Sequence, residues 1–185
     1  SEVSKDIRRT AKEVNFGVLY GLGSLGLAQR TGLSRAEAKE FIEKYFTIYK
    51  KIKTYIEDSK KIAYQRGYAQ TIFGRRRYLP DIHSSMPMLR SAAERMAINM
   101  PLQGTAADLM KMAMIAIQAD LPKISPQSKL ILQVHDELVL EVPKNEEKKV
   151  ANFIKASMEN IYTLTVPLVV DIETGDNWGN LEKIK

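Results

Sequence analysis

Apolar residues recur at intervals of three and four over much of the chain, the spacing that places side chains on one face of an α-helix. This spacing predicts helical stretches over residues 4–20, 34–67 and 88–119. Ser34 and Glu37 form a capping-box pair at the start of the second stretch, which we expect to break near Thr47. Pro101 and Gly104 are expected to interrupt the third, because proline removes a backbone hydrogen-bond donor.

Alternating apolar and polar residues replace the helical spacing towards the C-terminus. Residues 130–142 are typical of a β-hairpin that turns at His135 and Asp136. A helix capped by Asn145 and a further strand over residues 166–172 are predicted to follow. The predicted fold class is therefore α+β, with a mainly helical first part followed by part of an antiparallel sheet.

Composition narrows the possible partners and excludes some classes of protein. The 185 residues include 28 Lys and Arg against 22 Asp and Glu, and the net charge of +6 favours a polyanionic partner. Cysteine is absent, which excludes a disulfide framework and fits either a reducing compartment or a heat-adapted protein. The sequence has neither a membrane-spanning apolar run nor the hydrophobic core of a signal peptide, so we expect a cytoplasmic protein. The chain starts without Met and enters a helix at once, so we expect it to be part of something longer.

Arg8, Lys12, Phe16 and Tyr20 are each four residues apart and would form one stripe along the first helix. Cations bind phosphates and flat rings stack on bases, so such a stripe can hold a nucleotide lengthwise. By itself, however, the spacing more often indicates an amphipathic helix with its rings in the core and its charges in water.

Two further groups of polar residues have the chemistry to contact nucleic acid. Arg95, Asn99 and Gln103 repeat the four-residue spacing on an apolar helix, and residues 75–77 are three consecutive arginines. The first group could be a row of hydrogen-bonding side chains in a cleft or simply one solvated face. The arginines could contact a phosphate backbone or form an exposed cationic loop.

The tip of the predicted hairpin places His135 and Asp136 where a turn normally has Gly, Asn or Pro. A lone His-Asp pair is usually structural, although functional residues often lie on loops held by rigid strands. Residues 21–26 fit the expression G-x-G-x-x-G, but they follow a predicted helix, whereas the dinucleotide-binding loop follows a strand.

Together these segments resemble the C-terminal half of the polymerase domain of bacterial family A DNA polymerases, the DNA polymerase I type. Four blocks carry the resemblance: RRTAKEVNFGVLYG (8–21), TIFGRRRYLP (71–80), AAERMAINMPLQGTAADLMK (92–111) and LQVHDELVLEV (132–142). The resemblance implies fingers over residues 1–100 and the C-terminal part of the palm, with its catalytic hairpin, over residues 101–185. It implies template-directed DNA synthesis from dNTPs on primer–template DNA.

The resemblance also implies roles for the residues of the stripe. Arg8 and Lys12 would contact the triphosphate, and Lys12 would also donate a proton to the pyrophosphate leaving group. Phe16 would stack on the base and sugar and, lacking a hydroxyl, would discriminate against dideoxynucleotides. Tyr20 would lie beside the templating base.

Further implied roles concern the duplex and the metal ions. Arg95, Asn99, Gln103 and Arg77 would contact DNA, and His135 would lie near the primer terminus. Asp136, with Glu137 in a secondary role, would bind Mg²⁺, since paired carboxylates suit the two-metal transfer of a phosphoryl group.

The chain departs from the family pattern because the strand with the first metal-binding Asp would precede Arg8. We therefore expect activity only together with an N-terminal polymerase portion, from the same precursor or a separate chain. A non-catalytic module that binds duplex nucleic acid is the alternative, and an inactive structural fragment is a third reading.

Overall fold

The first part of the chain is built mainly from α-helices. The computed structural model describes residues 4–184, with the backbone alone at residues 5–7, 10 and 13, and divides into two units, Ser1–Thr105 and Ala106–Lys185. The helices of the first unit are α1 (Lys5–Leu19), α2 (Ser24–Thr31), α3 (Arg35–Ile48), α4 (Lys50–Arg66) and α5 (Pro87–Asn99). A two-stranded antiparallel hairpin, β1 (Tyr68–Gln70) and β2 (Arg76–Tyr78), and a 3-10 turn (Pro80–His83) lie between α4 and α5.

The helix ends follow local chemistry. The Ser34 hydroxyl accepts a hydrogen bond from the Glu37 backbone N–H, and the Glu37 carboxylate accepts one from the Ser34 N–H, so the predicted capping box is confirmed. These bonds favour the ionised carboxylate and lower the pKa of Glu37. Gly67 ends α4 with a left-handed φ of 73°, a conformation that glycine adopts without strain. The expected break between α3 and α4 falls at Tyr49, slightly beyond Thr47.

A π-helical turn (Met100–Gly104) separates α5 from α6 (Thr105–Ile124). The predicted interruption at Pro101 and Gly104 thus takes the form of a wider turn within a continuing helix. Pro101 has no N–H to bond the carbonyl four residues earlier, which favours the longer-range bonds of a π-turn.

The core of the first unit lies where α4, β1 and α5 meet. Small alanines allow the backbones to approach closely, and larger apolar side chains fill the remaining space. The buried residues of this core are Ala63, Ala69, Leu79, Ile82, Ala93, Ala97 and Met100.

The second unit packs helices against an antiparallel hairpin. It contains most of α6, then β3 (Lys129–Val134), β4 (Glu137–Glu141), a 3-10 turn (Lys144–Glu146), α7 (Glu147–Glu159), β5 (Glu173–Asn177) and β6 (Asn180–Lys183). Its buried residues come from α6 and α7, with β4 side chains packed against them: Ala113, Ile117, Leu121, Val150, Ile154, Leu138 and Leu140. The predicted α+β class, mainly helical at first and then antiparallel, is confirmed.

Two local predictions in this unit are wrong. The predicted strand over residues 166–172 has no strand pairing; Val166 and Val169 are 72% and 78% exposed, and the strands β5 and β6 begin later. An apolar run forms a strand only where a partner strand takes its backbone hydrogen bonds. Asn145 does not cap α7, because a 3-10 turn occupies residues 144–146 and places Glu146 at the cap position.

Within the part of the chain that the structure describes, no helix is both long and apolar enough to cross a bilayer.

Candidate nucleotide and nucleic-acid interface

The predicted stripe is present on α1 and at its C-terminal end. Arg8 and Lys12 are exposed, and the Lys12 Nζ lies 6.0 Å from the centre of the Phe16 ring. The rings of Phe16 and Tyr20 are stacked, with centroids 5.9 Å apart and planes inclined by 28°. Phe16 keeps 42% of its surface exposed, so the ring is not a core residue as the amphipathic alternative would require. Cations therefore lead into a pair of accessible aromatic rings.

A groove of about 600 Å³ is lined by three residues of this stripe, Lys12, Phe16 and Tyr20, but not by Arg8. Its described charged lining residues are all cationic: Arg9, Lys12, Arg30 and Arg95. Arg9, three residues before Lys12, could have been found from helical spacing, but the sequence interpretation singled out Arg8 instead. Arg30 belongs to α2, and no local signal brings it to the groove, because its position depends on how α2 packs beside α1.

Contacts from three other elements hold α1 and its C-terminal turn in place. The Tyr45 hydroxyl on α3 donates to the Asn15 Oδ1 on α1 at 2.7 Å. Leu22 packs over Gly17. A Cβ added at residue 17 would lie 2.9 Å from the Leu22 Cδ2, so the absence of a side chain at Gly17 makes room for Leu22. Gly21 has a φ of +83° and turns the chain against Ile98 of α5.

The G-x-G-x-x-G segment has a structural role. Residues 21–26 connect helix α1 to helix α2, and Leu22 also packs on Gly26 within α2. This segment does not join a strand to a helix, as a dinucleotide-binding loop does, in agreement with the sequence interpretation.

The π-turn interrupts the predicted stripe of Arg95, Asn99 and Gln103. Arg95 and Asn99 remain one helical turn apart on α5, while the exposed Gln103 lies in the π-turn and departs from the regular four-residue spacing. The Asn99 Oδ1 is buried without a hydrogen-bond partner among the described residues. A buried amide oxygen in this state can accept a bond from a ligand or from water.

An ion pair anchors α5 to α4 beside Arg95. The Lys60 Nζ and the Tyr64 hydroxyl each donate to the Glu94 carboxylate at 2.7 Å. Partial burial raises the pKa of Glu94, but these two bonds and the positive charges of Lys60 and Arg90 outweigh burial and lower it. A second groove, of about 540 Å³, passes this cluster and shares Arg95 with the first.

The three consecutive arginines have different surroundings. The Arg75 Nη2 donates to the carbonyl of Gly104 at 2.8 Å, and the Arg76 guanidinium lies 4.5 Å from the centre of the Tyr68 ring. Arg77 is exposed on β2. Arg75 is exposed as well, but its guanidinium group is hydrogen-bonded to the protein backbone.

In the second unit, His135 and Asp136 form the two-residue turn between β3 and β4, closed by the pair Val134 and Glu137. His135 has a φ of 55°, an uncommon left-handed conformation for a residue with a side chain. The side chain of Gln133 donates to the His135 carbonyl at 3.1 Å and supports the turn. The chain therefore does make a tight turn at His135 and Asp136, although neither residue is Gly, Asn or Pro.

The hairpin tip exposes His135 and the adjacent carboxyl-bearing residues Asp136 and Glu137. Carboxylate oxygens suit Mg²⁺, so the donor type fits the implied ion. Within the described part of the chain no three acidic or histidine side chains form a metal-binding group. The two carboxylates can supply only part of a coordination shell.

Comparison with known proteins identifies the family of this chain. Residues 1–180 match the family model described as DNA polymerase family A. The chain belongs to DNA polymerase family A. It is 50% identical over 177 residues to DNA polymerase I of Bacillus caldotenax and 48% identical over 177 residues to that of Pseudomonas aeruginosa, in each case over 96% of this chain. It covers 20% and 19% of these relatives, so the chain spans about a fifth of their length.

A solved structure of a family A polymerase domain has a similar fold. The structure is described as the POL domain of Pol1 from M. smegmatis in complex with DNA primer-template and dNTP. It matches with a TM-score of 0.85 and 43% identity, over 90% of this chain and 30% of that one.

Proposed function

We propose that this chain provides the nucleotide-binding helix and part of the metal-binding hairpin of a template-directed DNA polymerase. The observation that carries the proposal is the α1 groove, in which exposed cations lead into stacked rings that remain accessible. The similar Pol1 domain was solved with primer-template and dNTP, which supports these partners for this chain. In the proposal, residues 1–100 are the fingers, residues 101–185 are part of the palm, and the enzyme is cytoplasmic, of bacterial or phage type.

The α1 groove would hold the incoming nucleotide along the helix. Arg8 and Lys12 contact the triphosphate, and Lys12 gives a proton to the pyrophosphate as it leaves. Phe16 stacks on the base and sugar, and Tyr20 lies beside the templating base. Arg9 and Arg30, which line the same groove, add positive charge that favours a polyanionic ligand.

Polar residues of α5, the π-turn and the two hairpins would contact the DNA. Arg95, Asn99 and Gln103 face the minor groove, whose acceptors are almost independent of sequence and so report the shape of a base pair. Arg77 contacts the phosphate backbone, and His135 lies near the primer terminus.

Asp136 and Glu137 would hold Mg²⁺ together with carboxylates from the N-terminal polymerase portion. When bound, such ions lower the pKa of the primer 3′-OH and neutralise the triphosphate. Since this chain supplies only part of the ligand set, we propose that it is inactive alone and acts with that N-terminal portion.

Primer extension by a reconstituted enzyme tests the proposal. The chain is mixed with a polypeptide that supplies the N-terminal palm and thumb, and dNTP incorporation is measured for the wild type, Asp136→Ala and the control Asp176→Ala. Asp176 is an exposed carboxylate on β5, outside the proposed site. We expect extension by the mixture and by the control, but not by either part alone or by Asp136→Ala.

A folded mixture that does not extend primers would contradict the proposal. Salt-sensitive duplex binding by the chain alone, unchanged by Asp136→Ala, would instead support the non-catalytic duplex-binding alternative.

A further inference from the structure

Side chains of α4, of α6 and of the loop between β1 and β2 donate hydrogen bonds to backbone carbonyls within and beside the π-turn. The Tyr55 hydroxyl on α4 donates to the Ile98 carbonyl at 2.7 Å, and the Thr105 hydroxyl donates to the Pro101 carbonyl. The Arg75 guanidinium donates to the Gly104 carbonyl at 2.8 Å. A π-turn changes the regular bonding of a helix, and buried carbonyls near it need other donors. Here Tyr55 and Arg75 donate from outside the turn, and Thr105 donates from its C-terminal end.

The loop that carries Arg75 packs directly on the turn. The Thr71 hydroxyl accepts the Arg75 backbone N–H, and the Thr105 hydroxyl accepts the Ile72 N–H, both at 3.2 Å. The close packing requires glycine at position 104, because a Cβ added there would lie 2.7 Å from the Thr71 Cγ2. Thr71 and Thr105 are 2% and 9% exposed, so the two accepting hydroxyls are buried, although the donor residues Ile72 and Arg75 are exposed.

Gln103 lies within the turn and is exposed, and Asn99 directly precedes the turn. A glutamine reaches a base pair only if its backbone is held at the right height and angle, since a polar contact is lost within a fraction of an ångström. The anchoring bonds are made by Tyr55, Thr105 and Arg75 and leave the exposed Gln103 side chain out of the anchoring.

We propose that Arg75 and Tyr55 are positioning residues that fix the π-turn so that Asn99 and Gln103 can contact the primer–template duplex. The inference rests on the proposed function in naming the duplex as the ligand. It separates Arg75 from Arg77: the first acts through the protein backbone, and the second contacts DNA. It also gives α4 an indirect role in DNA binding through a single hydroxyl group.

Amide hydrogen exchange tests the anchoring itself, in the chain assembled with the N-terminal polymerase portion. Arg75→Met keeps the apolar stem and removes the donors, and Tyr55→Phe keeps the ring and removes the hydroxyl. Arg77→Met is the matched control. We expect amides of residues 102–105 to exchange about tenfold faster in Arg75→Met, the factor that one hydrogen bond of ordinary strength supplies. Tyr55→Phe should show a smaller increase, and the control none.

Unchanged exchange in both Arg75→Met and Tyr55→Phe would overturn the anchoring, whatever the assembly does with DNA. An equal increase in Arg77→Met would overturn it too, because the effect would then follow from loss of any nearby charge. Arg75→Lys serves as the rescue variant: its ammonium group can still donate to the Gly104 carbonyl, so exchange should return part of the way to the wild-type rate.

A mutant cycle tests the link to DNA. Arg75→Met should raise the KM for primer–template with less effect on kcat, and it should add nothing further in a background that carries both Asn99→Ala and Gln103→Ala. A full additional effect of Arg75→Met in that background would show that Arg75 does not act through these two residues and would overturn the positioning role. Absence of extension by the wild-type assembly would contradict the proposed function instead, and the exchange experiment would still decide the anchoring.

Discussion

Phe16 shows at the scale of a single residue how the α1 groove would select its ligand. Its ring is stacked on Tyr20 on one side and remains 42% exposed. A phenyl ring offers a nucleotide dispersion and stacking but no hydrogen bond. A sugar that has lost its 3′-OH therefore finds nothing at Phe16 to replace the missing group.

Phe16→Tyr in the reconstituted enzyme should increase the use of dideoxynucleotides. The added hydroxyl can take the place of the missing 3′-OH, and one such bond changes a selectivity ratio by about tenfold. The measurement is the ratio of kcat/KM for a dideoxynucleotide and its dNTP. Phe41→Tyr is a matched control, because Phe41 on α3 is 41% exposed and lies outside the groove. An unchanged ratio in Phe16→Tyr would refute the assigned role.

Glu94 makes the stability of the chain depend on pH in a defined direction. Its pKa in the folded chain lies below the usual 4.5, so Glu94 stabilises the fold above its unfolded pKa and loses this effect as pH falls through the folded value. The free energy of unfolding, from urea titrations, should therefore fall more steeply between about pH 5 and 3 in the wild type than in Glu94→Gln.

Glu57→Gln is the control for Glu94, since Glu57 is an exposed carboxylate that lies 3.9 Å from Lys53. It should retain the pH dependence of the wild type. Equal slopes for wild type and Glu94→Gln would contradict the pKa direction and the importance of the Lys60–Glu94 pair.

At the scale of the element, the sequence best predicted the helix ends and turns that are determined by residues adjacent in the chain. The Ser34–Glu37 capping box, the end of α4 at Gly67 and the turn at His135 each follow from a few adjacent residues. Elements that depend on distant partners were predicted poorly. Residues 166–172 have strand-like composition but no strand pairing. The interruption at Pro101 is a π-turn, and beside it the Ile98 carbonyl accepts a hydrogen bond from Tyr55, which is distant in the sequence.

Ser34→Ala should destabilise the chain through the start of α3. The variant loses the hydroxyl that accepts the Glu37 N–H, and removal of such a cap costs about 1 kcal/mol. Urea denaturation measures the change. Ser91→Ala is the control, because Ser91 is exposed within α5 and alanine is a good helix former there, so its effect should stay within about 0.5 kcal/mol. Equal losses in both variants would show that the cap is not the cause.

At the scale of the whole molecule, the sequence predicted only some of the residues that line the α1 groove. The net charge of +6 favours a polyanionic partner, and Lys12, Phe16 and Tyr20 do line one groove. Arg30 joins that groove through the packing of α2, which no spacing along the chain reveals. Asp136 and Glu137 lie together and exposed at the hairpin tip, as the turn predicted from the sequence requires.

The central claim is that the α1 groove holds the incoming nucleotide during transfer, and single-turnover incorporation by the reconstituted enzyme tests it most directly. Lys12→Ala is compared with Lys51→Ala, an exposed lysine on α4. We expect Lys12→Ala to weaken dNTP binding and to slow the transfer step by about 10²–10⁴, as for loss of a general acid, with primer–template affinity unchanged. Lys51→Ala should match the wild type. An equal loss of DNA affinity and transfer rate in Lys12→Ala, or no loss of either, would contradict the account.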